Sequence, residues 1–75
     1  YKDAKSFIQE KAQEKYGLTP NYKVLSEEGP DHDKLFCIGI YFGEDKIAEG
    51  RGKSKQEGET VAARTALEEK GWVSK

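Results

Sequence analysis

Gly50-Arg51-Gly52-Lys53-Ser54-Lys55-Gln56-Glu57-Gly58-Glu59-Thr60-Val61-Ala62-Ala63 is the stretch from which the rest of the chain can be read. Two glycines end an extended segment, and a helix opens at Ser54. Ser54 and Glu57 have the S-x-x-E spacing of a capping box, whose hydroxyl and carboxylate satisfy N–H groups that the first helical turn leaves open. Ala62, Ala63, Ala66 and Leu67 then form an apolar face of small side chains, which lets a helix lie close on a sheet. Gly71 supplies a stop, and Trp72 is placed to fold back over the core. Gly58, in the first turns, costs about 1 kcal/mol relative to alanine.

The charges around Ser54 work against helix stability. A helix N-terminus carries partial positive charge and unpaired N–H groups, so stability alone would place acids there. Arg51, Lys53 and Lys55 gather there instead, each at an expected penalty of a few tenths to about 1 kcal/mol. An external anion such as phosphate would resolve the conflict. Gly50 and Gly52 would let a backbone approach closely. A solvated basic loop is the plain alternative; the coincidence of glycines, capping box and lysines favours the anion site.

Upstream, the pattern gives one more helix and three strands. Asp3 can cap a helix with apolar positions Ala4, Phe7, Ile8, Ala12 and Tyr16, a helical stripe. Gly17 stops it, and Thr19-Pro20 keeps the chain extended. Ser6, Gln9, Glu10 and Gln13 line the opposite, polar edge. Asn21 to Glu28 reads as a strand with Tyr22 and Val24 inward, and Gly29 to Asp33 as a turn. Leu35 to Phe42 is the clearest strand: Phe36, Ile38, Ile40 and Phe42 share one face, Cys37, Gly39 and Tyr41 the other. Gly43-Glu44-Asp45 turns into a third strand through Lys46, Ile47 and Ala48. Phe7, Tyr16, Tyr22, Phe36 and Phe42 read as core, and Cys37 as a thiol on a wet sheet face. The expected fold is α+β, ordered α-β-β-β-α: a three-stranded antiparallel sheet with both helices packed on one face.

Composition bounds the function. The chain has 75 residues, enough for one small domain, read here as residues 1–75 with a core of about 3–72. It opens at Tyr1 and contains no Met, as a fragment of a longer protein would. No apolar run is long enough to span a bilayer. One Cys and one His leave almost no material for a disulfide framework, a metal centre or a nucleophilic triad, so an active site within these residues is not expected. Thirteen basic and 14 acidic residues give a net charge of −1, which does not advertise a nucleic-acid binder. The total hides a distribution: residues 21–50 carry three Lys against seven acids, whereas residues 51–75 carry six basic residues against four acids.

Three ordered motifs resemble the double-stranded RNA-binding domain family. The stretch from Gly50 to Ala63 is similar to that family's G-x-G-x-S-K-K-x-A-E-x-x-A-A. Gly29-Pro30-Asp31-His32 followed by Phe36 matches G-P-x-H-x-x-x-F. Asp3 to Gln13 resembles the first helix, especially in the domain that ends bacterial ribonuclease III. The resemblance runs from Asp3 to Trp72.

It implies shape-specific binding of duplex RNA across minor, major and minor grooves, over about 16 base pairs. Ser6, Gln9, Glu10 and Gln13 would meet one minor groove, where the glutamines can bond 2′-hydroxyls that DNA lacks, so DNA is disfavoured. Pro30 and His32 would enter the next minor groove. Lys53, Ser54, Lys55 and Gln56, with the helix N-terminus, would hold phosphates across the major groove between them. Without these motifs Gln9, Gln13 and His32 would be ordinary surface residues, and Glu10 could equally pair with a lysine. Two positions depart from the pattern: Gln56 replaces the second lysine of S-K-K, and Gly58 replaces alanine. Both predict weaker binding, the first by loss of charge and the second by loosening the helix. Glu57 and Glu59 also oppose anion attraction.

A ribonuclease III parent would imply a magnesium-dependent, homodimeric nuclease domain outside these residues and a cytoplasmic RNA-processing endonuclease; the domain itself would need no cofactor. The rival from a different class is a protein-interaction module of the same fold with weakened or lost RNA binding. Gln56, Gly58 and the net charge favour it; Lys53, Lys55, His32 and the glutamine pair oppose it.

Overall fold

Asp3 caps the first helix, α1 (Ala4–Tyr16): its carboxylate accepts from the Lys5 backbone N–H and from the Ser6 hydroxyl. The Ser6 bond is the main reason the Asp3 carboxyl is held below its ordinary pKa. Gly17 ends α1 in the left-handed region at φ 68°, and its N–H donates to the Gln13 carbonyl. Ala4, Ile8 and Ala12 form the buried stripe of α1. The computed structural model describes residues 3–72; the first two and last three positions of the expected domain lie outside the described residues.

Three strands follow, β1 (Asn21–Glu28), β2 (Leu35–Phe42) and β3 (Asp45–Gly52), and the chain ends on α2 (Lys55–Lys70). The sheet is antiparallel in the order β1-β2-β3. This is the α-β-β-β-α arrangement expected from the sequence. The core joins Ala4, Ile8 and Ala12 of α1, Ile40 and Phe42 of β2, and Ala62, Ala63, Ala66 and Leu67 of α2. Ala66 and Leu67 are fully buried, so the small-residue face of α2 does lie on the sheet.

The glycines of the deciding stretch serve that contact. A β-carbon on Gly50 would sit 2.1 Å from the Ala62 backbone nitrogen, and one on Gly52 would sit 2.7 Å from the Glu57 side chain. The backbone they admit is that of α2, so they are not free to receive an external one. Gly50 lies inside β3, and only Gly52 ends it. Gly58 also departs from expectation. It is buried against β2, and a β-carbon there would lie 2.5 Å from Ile38 Cγ1. The space an alanine methyl would fill is taken by Ile38.

Simple alternation fails at several other positions. Val24 is 43% exposed although it pairs with Ile38, because α2 lies chiefly over β3 and β2 and leaves the β1 edge uncovered. Cys37 and Gly39 are buried on the face expected to be wet. A bulge between Val24 and Ser26 inserts Leu25, whose side chain covers Gly39 together with Tyr41. The Cys37 thiol donates to Glu49 Oε1 at 3.5 Å. Tyr16 is 49% exposed; its ring lies beside Phe42 and Trp72 at the rim of the core. Phe7, Tyr22 and Phe36 are half-buried. Trp72 does fold back: its N–H donates to the Leu67 carbonyl at 2.9 Å and its ring stacks on Phe42.

Candidate nucleic-acid interface

The residues singled out in the sequence occupy three exposed places: the polar edge of α1, the β1–β2 turn and the start of α2. Ser6, Gln9, Glu10 and Gln13 all lie on the exposed side of α1. Ser6 is committed to the Asp3 cap. Gln13 donates from Nε2 to the Thr19 hydroxyl at 3.1 Å, which fixes its amide against the segment after the helix. Among the described residues, Gln9 and Glu10 enter no side-chain hydrogen bond or ion pair, so the possible Glu10–lysine pairing does not occur.

The β1–β2 turn is built by Gly29 and Pro30. Gly29 has φ 95°, and a β-carbon there would come within 2.4 Å of the Asp33 carbonyl oxygen, so this corner requires glycine. The Asp33 N–H donates to the Pro30 carbonyl at 2.9 Å, closing the turn with Asp31 and His32 at its tip. Pro30 and His32 are exposed.

At the start of α2, Ser54 is the N-cap and its hydroxyl accepts from the Glu57 N–H at 3.1 Å. The Glu57 carboxylate reaches back to the Lys53 N–H, one residue before the cap, rather than to Ser54 itself. The box therefore forms in a shifted version and removes one N–H from those available to an anion. The N–H groups of Lys55 and Gln56 have no partner within the helix, as in any first turn. Lys53, Ser54, Lys55 and Gln56 are all exposed.

Two ion pairs hold these three places in relation. Lys5 of α1 binds Glu59 of α2 at 2.5 Å, and its ammonium also lies over the Tyr22 ring. Lys53 binds Asp33 in the β1–β2 turn at 2.9 Å. The Asp33 hydrogen bond, followed by its charge, raises the Lys53 pKa above the ordinary lysine value. The first pair fixes α1 against α2 one turn beyond Lys55; the second ties the turn to the start of α2. Together they also change the charge count. Glu59 is neutralised by Lys5, so it does not oppose an anion as expected. Lys53 is shared with Asp33. Arg51 alternates away from Gly50 and Gly52, stands opposite Cys37 on the other side of the sheet, and so is absent from the basic spot. Lys55 is left as its unpaired cation among the described residues. No sequence spacing announces Asp33 or Lys5 as partners of this site, since their counterparts lie 20 and 54 positions away.

Residues 4–70 match the family model described as the double-stranded RNA binding motif. The chain belongs to the double-stranded RNA-binding domain family. Its relatives include Ribonuclease 3 of Borreliella afzelii, 55% identical over 67 residues, and Ribonuclease 3 of Bdellovibrio bacteriovorus, 46% identical over 69. The domain is covered to 89% and 92% in these alignments but spans only 27% and 30% of the relatives' own length. Among solved structures it is similar to Dicer from Pichia stipitis, with TM-score 0.69 and 28% identity, over 87% of this chain and 31% of that one. Among the described residues of the domain, no cluster of His, Cys, Asp or Glu could hold a metal ion, and no helix is long and apolar enough to cross a membrane.

Proposed function

We propose that the domain binds duplex RNA by shape, with α1 and the β1–β2 turn each entering a minor groove and the start of α2 holding phosphates between them. The observation that carries this reading is the spatial order of the three exposed places, linked by the Lys5–Glu59 and Lys53–Asp33 pairs. Gln9 and Gln13 supply both donors and acceptors for 2′-hydroxyls, with Ser6 and Glu10 beside them. Pro30 and His32 form the second minor-groove contact. Lys53, Ser54, Lys55 and Gln56, with the open N–H groups of α2, supply the phosphate contacts and the affinity. Two cations, one of them already paired, make this a weak phosphate grip, and RNA selectivity rests on the α1 edge.

Within a whole protein, the Ribonuclease 3 relatives support a role as the substrate-binding part of an RNA-processing endonuclease. Magnesium, the catalytic carboxylates and the homodimer contacts would then belong to a nuclease domain outside these residues, in a cytoplasmic enzyme. The test is a titration with a labelled RNA duplex of about 20 base pairs, long enough for the family footprint, against the same-sequence DNA duplex at two salt concentrations. RNA-selective binding that weakens with salt supports the reading. Absence of binding at low salt would refute it and favour the protein-interaction reading.

A further inference from the structure

We infer that Asp33 is an electrostatic brake on duplex binding, which holds Lys53 in the free domain and must yield it to a phosphate when RNA binds. This rests on the duplex-binding reading and assigns a residue that the family motifs do not mark. Asp33 Oδ1 lies 2.9 Å from Lys53 Nζ, and the two side chains are 60% and 72% exposed. The pair therefore stands in solvent at the mouth of the phosphate-holding region, where an incoming oxygen can replace the carboxylate. Of the two lysines there, only Lys55 enters no such pair among the described residues. Asp33 also belongs to the turn that carries Pro30 and His32, so the same contact latches the second groove-reading element to α2 until the phosphate arrives.

Two consequences follow from exchange. The strength of the pair is subtracted from binding, and an exposed pair of this kind is worth about a twofold to fivefold change in an equilibrium. The salt dependence is also reduced. A phosphate neutralised by Lys53 releases a condensed cation, but added salt also screens the exposed Lys53–Asp33 pair and so weakens the brake. Removing the carboxylate removes that compensation, so the salt slope steepens by less than one phosphate contact.

The experiment compares the chain with Asp33→Asn, with Lys53→Ala and with the double variant, using an RNA duplex of about 20 base pairs at several salt concentrations. Asp33→Asn is expected to bind about twofold to fivefold tighter at low salt, with the gain shrinking as salt rises and the slope correspondingly steeper. In the Lys53→Ala background the same change is expected to do nothing. Asp33→Ser serves as a second neutral variant, since the turn is closed by the backbone N–H of residue 33, which both changes keep. Unchanged or weaker binding in both neutral variants overturns the brake while leaving the duplex reading intact; weaker binding would mean that the latch organises the turn for RNA. A gain that persists without Lys53 also overturns it, because Asp33 would then act as general negative charge. If neither the original chain nor the neutral variants bind, the duplex-binding reading fails and takes the brake with it.

Discussion

Replacing Gly58 by alanine sets two effects of opposite sign against each other. Alanine is the family's usual residue here, and in a helix interior it gains about 1 kcal/mol over glycine. In this chain the new methyl would lie 2.5 Å from Ile38 Cγ1 and 3.5 Å from the Gly50 carbonyl oxygen. Ile38 is 1% exposed and Cγ1 is near the base of its side chain, so it has nowhere to swing. Overpacking of this kind costs about 1–3 kcal/mol. The net expectation is a loss of about 1 kcal/mol, which in a domain of this size lowers Tm by about 4–8 °C. Thermal melts of Gly58→Ala, Ile38→Val and the double variant decide the matter. Ile38→Val alone costs about 0.5–1.5 kcal/mol. In the double variant the shorter side chain can turn away from the methyl, so the pair should be at least as stable as Gly58→Ala alone. A Gly58→Ala protein that melts at or above the original temperature would refute the packing argument and restore the reading of Gly58 as a plain helix defect.

Four further outcomes are expected. Lys55→Ala should weaken binding to all duplex RNAs alike and flatten the salt slope by about one phosphate contact, measured by titration at several salt concentrations. Gln9→Ala should narrow the preference for RNA over same-sequence DNA with little change in salt slope, as competition binding would show; an unchanged preference would remove Gln9 from the minor-groove contact. Gly50→Ala should abolish cooperative folding by circular dichroism, because its methyl would meet backbone atoms of α2 at 2.1–2.7 Å and the helix would have to lift off β3. Tyr22 has its pKa raised to about 12, chiefly by burial and then by the charges of Glu59 and Asp3. The folded state thus keeps a proton that the unfolded chain loses near pH 10. Its contribution is complete below that pH and is lost as pH rises towards 12. Tyr22→Phe should remove that share of the alkaline loss in melts compared at pH 8 and 11.

The element order and nearly every boundary were legible because their signals are local. Asp3 and Ser54 are capping residues in front of apolar stripes, Gly17 and Gly71 are left-handed stops, and Gly43 opens a short hairpin turn. The family motifs, being ordered strings, were legible for the same reason. Burial was read less well. Val24 and Cys37 follow the alternation of their strands, but exposure depends on what covers each face. The Leu25 bulge covers part of the face expected to be wet, while the β1 edge is left open.

The sequence by itself determined the fold and the types of residue offered to a nucleic acid, since caps, turns and periodicity act between neighbours. The tertiary structure decided which of those residues keep their charge for a ligand. Arg51 leaves the basic spot because a strand alternates its side chains. Lys53 is shared because a turn 20 positions earlier brings Asp33 beside it. Gly50, Gly52 and Gly58, which read as a place for a backbone to approach and a weak point in a helix, are the surfaces on which α2 meets β3 and β2. Coulomb attraction and close packing act through space, and no local pattern in the chain records which distant groups the fold brings within a few ångströms of one another.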